Sequence, residues 1–233
     1  MTDKEQCLLV EYLTQEKFKY QGHTRYSTIN AGLRESRVFT KRDKYTGKYN
    51  ADVEFGYPGH WLGAIGYFAI LDQIGSCFKD VGQETPNKCN RIKFALETFG
   101  LDLLNNDNRR LHALVALRNA FTHDFNLLNI PERENLYELQ RCKFTVYADP
   151  YNENRIVDLP TIPWDGNIVD KDFLRTEDTT FVNLFAFGSL VETIHARIVE
   201  SVKAKTVDTI LIIPELLNKY TFMTSVHVIK NGY

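Results

Sequence analysis

With 233 residues, 43% of them hydrophobic, the chain has enough apolar material for a sizeable core in one elaborated domain or a domain with a small appendage, which excludes intrinsic disorder. A formal net charge of -2 and a pI of 6.3 exclude a surface that grips nucleic acid everywhere by bulk electrostatics, leaving only local basic patches. No apolar run approaches the roughly 20 residues that cross a bilayer, and Met1 to Gln6 lacks the features of a signal peptide, so a cytoplasmic protein without membrane contact is expected.

In chain order, Leu8, Leu9, Tyr12, Leu13 and Phe18 recur at near-helical spacing over residues 3–20, with Gly22 as a stop. Residues 25–50 are rich in Arg, Lys, Tyr and Thr, and Lys44-Tyr45-Thr46-Gly47-Lys48 reads as a turn in a hairpin or mobile loop. Arg34, Arg37, Lys41, Arg42, Lys44 and Lys48 are candidates for a basic patch, although each alone reads more readily as part of a solvated face. Tyrosines in such an arm can stack on RNA bases. Residues 1–58 are thus expected to form an N-terminal helix and basic arm.

Tyr57-Pro58-Gly59-His60 punctuates the chain before Trp61 to Phe78, whose apolar density predicts a central helix buried on most sides. Gly63 and Gly66 permit close packing there, and His60 reads as a helix-start residue. Cys89 to Phe99 forms a further helix ended by Gly100, and Asn105 to Asn108 offer caps for the next, Asn108 to His123. Glu132 to Leu139 fits a brief helix after Pro131. Lys143 to Tyr147 and Arg155 to Val157, flanking Asp149-Pro150-Tyr151-Asn152, read as a β-hairpin, followed by an irregular link at Pro160, Pro163 and Gly166. Phe181 to Val202 resume helical spacing, with His195 on the polar side. Ile210 to Ile213 and Ser225 to Ile229 are short apolar runs, strands or an arm over a partner. Cys7, Cys77, Cys89 and Cys142 are scattered, with no pattern for zinc or a disulfide framework, and no metal or cofactor motif stands out.

The helix from Asn108 to His123 carries the chemistry. With Leu111 as origin and about 100° per residue, Leu114, Leu117 and Phe121 fall between roughly 240° and 300°, and Arg118 comes near 340°, inside the apolar stripe. His112, Asn119 and His123 gather near roughly 80° to 120°, and Ala113, Ala116 and Ala120 form a small-residue strip that would let another backbone approach. Arg118 and His123, five apart, diverge by about 140° on an ideal helix, so one copy makes a poor site. Two copies packed about a two-fold axis would bring both pairs into one cleft.

The sequence Arg118-Asn119-x3-His123 at the end of an apolar helix resembles the R-x4-6-H signature of the HEPN superfamily, many of whose members are RNases. The resemblance implies a mainly α, up-and-down helical bundle over residues 59–205, a small β-hairpin insertion at about 142–176 and a C-terminal appendage at 206–233. It covers roughly half of the chain, the helices from about Gly59 to Leu139 and from Thr180 to Lys203. It also implies a homodimer that cleaves RNA without a metal or cofactor. The ribose 2′-hydroxyl would attack phosphorus, with His123 moving protons, Arg118 stabilising the phosphorane and Asn119 orienting either. Arg109 and Arg110 are candidates for binding the RNA backbone. In the toxin variant of the signature, R-x4-H-x-Y, the tyrosine is modified by the partner; Phe125 stands there, so that mode of silencing does not carry over, and a different regulatory partner is left open. The rival expectation is a non-catalytic helical dimer that binds RNA or a protein, with Arg118 and His123 as interface groups.

Overall fold

The structure, a computed structural model, describes residues 1–52, 57–84, 91–124, 126–130, 141–168 and 175–223, without the side chains of 57–59, 123 and 124. Helix α3 (Tyr57–Cys77) is apolar on nearly every side and forms the axis of the core, burying Ala64, Tyr67, Phe68, Ile70, Leu71 and Ile74. Around it pack α2 (Thr28–Phe39), α4 (Arg91–Phe99) and α6 (Leu184–Ala204), and α1 (Asp3–Thr14) lies against α6. Gly63 and Gly66 face Thr40 and Ser36 of the α2 end, the close approach expected of them. A single 3-10 turn, Asp102–Leu104, leads into α5 (Asn108–Asn119).

The expected mainly α bundle with one hairpin insertion is overturned. Nine strands in three sheets accompany the seven α-helices among the described residues, making a mixed α and β architecture.

The first sheet begins where a helix was expected to continue. α1 stops at Thr14, and Lys17–Tyr20 (β1) alternates, burying Phe18 and Tyr20 while Lys17 and Lys19 face out. Gln21 and Gly22, with φ 51 and 77, form a two-residue turn that pairs β1 antiparallel with β2 (His23–Ser27). The short fragment hid this period of two inside a longer helical pattern.

The other two sheets are closed by late residues. β3 (Phe78–Asp80) follows α3 directly, β4 (Leu128–Asn129) follows α5, and β5 (Cys142–Tyr147) and β6 (Val157–Asp158) flank the expected hairpin tip. β5 and β6 do not pair. Between them lies β7 (Thr179–Asn183), parallel to β5 and antiparallel to β6, giving the order β4-β5-β7-β6. Thr179-Thr180-Phe181-Val182 is β-branched and aromatic, and Asn183 ends it by capping α6, which therefore begins at Leu184 and not near Thr180. Cys142, Phe144, Val146 and Val182 turn one sheet face to the helices. Further on, β8 (Val207–Thr209) pairs with β3, α7 (Ile213–Lys219) starts with Pro214 in its first turn, and β9 (Thr221–Phe222) pairs with β2. The brief helix expected at Glu132 to Leu139 and the run Ser225 to Ile229 lie outside the described residues.

Candidate functional site

Asp107 starts α5: its Oδ1 accepts the Arg109 backbone N–H at 2.9 Å. Leu111, Leu114 and Leu117 enter the core, and Ala113, Ala116 and Ala120 are buried with them. The small-residue strip is thus covered inside this chain, with β4, β5 and β6 all packed on α5, and is not left for a partner. Beyond the first turn of α5, what remains partly exposed is an outer stripe of His112, Val115, Arg118 and Asn119. Arg118, placed by the helical wheel among apolar residues, belongs to that stripe, because the wheel gives angles but not where the core stops.

Helix α5 does not run on to His123. After Asn119 the backbone widens into a π-helical turn over Ala120–Asp124. A π turn spends one more residue per turn, so position 123 is rotated back toward position 118 relative to an ideal α-helix. Phe121 fixes this turn: it is fully buried, stacked on Trp61 with ring centroids 4.7 Å apart, and meets Phe68 edge-on at 6.4 Å. Arg118 Nη1 donates to Asn119 Oδ1 at 3.2 Å, and Thr122 Oγ1 donates to the Arg118 carbonyl at 2.8 Å. Arg118 and Asn119 are brought together; His123 falls in the turn, and its side chain, like Phe125 as a whole, lies outside the described residues.

Arg109 and Arg110 are not part of this group. Nine residues separate Arg109 from Arg118, about 14 Å along the axis and on roughly opposite faces. Both are engaged by Asp107: Arg109 Nη2 lies 3.1 Å from Asp107 Oδ2, and Arg110 Nε 3.9 Å from it. These contacts hold the Asp107 carboxyl below its ordinary range, Arg109 contributing most. Arg109 instead lines a cavity of about 320 Å³ with Arg141, Cys142, Trp164 and Asp178. Burial pushes the Cys142 thiol there up to about 12, which makes it a packing group and not a nucleophile.

Comparison of the chain with family models, with curated proteins and with solved structures finds no match to any of them.

Half of the early basic stretch is engaged within the molecule. Arg34 pairs with Glu16 and Glu35, Arg37 with Glu192, and Arg42 is buried against the Phe185 ring and carbonyl. Arg37 and Arg42 therefore serve packing, and Arg34 is engaged in surface ion pairs. His60 is buried, and burial with Lys41 nearby lowers its pKa; His112 is lowered for the same reason beside Lys93. His195, expected on the surface, has its Nε2 3.0 Å from the Leu13 carbonyl. The local pattern also missed the buried ion pair Lys143–Asp178 at 2.6 Å: Lys143 falls on the polar side of an alternating strand that reads as solvent-facing. No helix among the described residues is long and apolar enough to cross a membrane.

Proposed function

We propose that the outer stripe at the end of α5 is the centre of an endoribonuclease. The observation that carries this reading is the π turn at the motif, because such turns concentrate at functional sites and this one reduces the divergence between positions 118 and 123. Arg118, part-exposed and held by Asn119, is suited to bind two phosphate oxygens and to stabilise the charge of a phosphorane.

In the reaction, the ribose 2′-oxygen attacks the adjacent phosphorus, the bond to the 5′-oxygen breaks, and a 2′,3′-cyclic phosphate and a 5′-hydroxyl result. His123 takes the 2′-hydroxyl proton and a proton returns to the leaving oxygen, a role that suits an imidazole, whose two ring nitrogens can accept and donate. Asn119 keeps the guanidinium oriented. Two copies paired about a two-fold axis would double these groups along one groove, and among the described residues the outer stripe is a face of α5 that stays partly exposed.

A second reading, a non-catalytic dimer binding RNA or a protein, is favoured by the place of Arg109, about 14 Å along α5 from Arg118 and on the opposite face, which keeps that cation away from the motif. One experiment separates the two. Single-stranded RNA is incubated in EDTA with the native chain, Arg118→Ala and His123→Ala. Cyclic-phosphate products from the native chain that vanish in both variants support the enzyme; RNA bound but uncut by the native chain supports the second reading, and equal cleavage by all three points to a contaminant.

A further inference from the structure

The loop 41–50 is clamped from below and decorated from above. Arg37 donates through Nη1 to the carbonyls of Lys44 and Tyr45 at 3.2 and 3.1 Å while its other nitrogens hold the Glu192 carboxylate. Arg42 donates to the Gly47 carbonyl at 2.9 Å and to Ser189 Oγ at 2.7 Å, and Ser189 Oγ in turn donates to Glu153 Oε2 at 3.1 Å, tying in the neighbouring loop around Tyr151. Asp43 Oδ1 accepts the Tyr45 and Thr46 backbone N–H groups, and Asp43 N–H reaches the Lys48 carbonyl at 2.7 Å.

On this base Tyr45, Tyr49 and Tyr151 point outward among polar neighbours, with Lys44 Nζ 4.9 Å from the centre of the Tyr45 ring. Tyr45 is 71% exposed, Tyr49 41% and Tyr151 86%. Tyr49 meets Tyr151 edge-on at 6.3 Å and rests on Phe185 at 5.8 Å. With Arg42 buried, the surface cations of residues 41–52 are Lys41, Lys44 and Lys48, against the carboxylates Asp43 and Asp52. Three tyrosines held out into water cost apolar hydration, and a scaffold that removes their freedom in advance lowers the entropy cost of binding. Flat aromatic faces beside lysines match unpaired bases on a phosphate backbone.

We propose that Tyr45, Tyr49 and Tyr151 form a stacking platform for single-stranded nucleic acid, with Lys44 and Lys48 facing its phosphates. The choice of nucleic acid as ligand rests on the ribonuclease reading, but the platform lies on different elements from Arg118 and binds whether or not cleavage occurs.

The test measures fluorescence anisotropy of a labelled single-stranded oligouridine RNA with the full chain in the Arg118→Ala background, so that the probe survives. Tyr45→Ala and Tyr151→Ala, both on exposed rings and expected to leave the melting temperature unchanged, should each weaken binding about tenfold. Tyr151→Phe should bind as the parent does. Lys44→Ala with Lys48→Ala should reduce the slope of log affinity against log salt by about 1.4. Binding unchanged in the two alanine variants, tighter binding of a duplex of the same length, or no RNA binding by the parent each overturns the platform. Cleavage by the native chain that disappears with Arg118→Ala but is untouched by the tyrosine variants leaves the enzyme standing and the platform refuted. Tyrosine-dependent binding without any cleavage does the reverse.

Discussion

Asn183 and Asp149 hold each other through backbone and amide: Asp149 N–H donates to Asn183 Oδ1 at 3.0 Å, and Asn183 Nδ2 donates back to the Asp149 carbonyl at 2.9 Å. The same amide donates to the Asn152 carbonyl and accepts from the backbone N–H groups of Phe185 and Ala186, which caps α6. With the residue fully buried, Asn183→Ala should destabilise the fold by about 3 kcal/mol, adding a lost cap to newly orphaned buried groups. Asn183→Asp keeps the cap but turns a carboxylate toward two carbonyls and should fall between. Urea denaturation midpoints check both.

Arg37 and Glu192 form a two-pronged ion pair whose side chains are 18% and 17% exposed, and Tyr67 Oη donates to Glu192 Oε1 at 2.8 Å. Removing one partner strands the other. Glu192→Gln should cost about 2 kcal/mol, discounted from a fully buried pair for its partial exposure. Arg37→Ala should also release the Lys44 and Tyr45 carbonyls, so limited proteolysis within residues 41–50 should accelerate more than global unfolding does.

His195 is held down to about 4, burial being the largest cause, while its Nε2 donates to the Leu13 carbonyl. The unfolded chain binds a proton near pH 6.5 that the folded chain does not bind until about 4, so stability is complete above that range and falls as pH drops through it. The loss from this group should approach about 3 kcal/mol. His60 and His112 add to it in the same direction. His195→Gln keeps a donor for Leu13 and should flatten the stability profile between pH 6.5 and 4, read from chemical denaturation at each pH.

Gly75 of α3 faces the α4 backbone: a Cβ there would lie 2.0 Å from the Arg91 carbonyl oxygen. Backbone cannot step aside as a side chain can. Gly75→Ala should therefore push α4 away and cost about 2 kcal/mol or more, overriding the gain in helix propensity of about 1 kcal/mol. A melting temperature that rises would sink this reading.

Helices that bury several faces were legible in the sequence. The apolar density from Trp61 to Phe78 marks α3, and Gly100 and the Asn105 to Asn108 caps frame α4 and α5. The sheets were not, because their decisive partners are distant. Lys143 to Tyr147 looks for a strand nearby and finds one at Val157, yet its true neighbour is Thr179 to Asn183, concealed as the opening of an apolar helix. At the motif, residue type and spacing single out Arg118, Asn119 and His123 as candidates. Periodicity alone assigned Arg118 to the wrong side and assumed a regular helix through His123, where the backbone widens instead.

The sheet order β1-β2-β9 makes the earliest hairpin depend on some of the last residues described, since the outer neighbour of β2 is Thr221–Phe222 and Thr28 Oγ1 donates to the Tyr220 carbonyl 192 positions away. During translation, the outer edge of the emerging β2 therefore waits unpaired until Thr221 and Phe222 have left the ribosome. Nascent chains halted before residue 207 should expose that edge, together with β3, to chaperones or to each other.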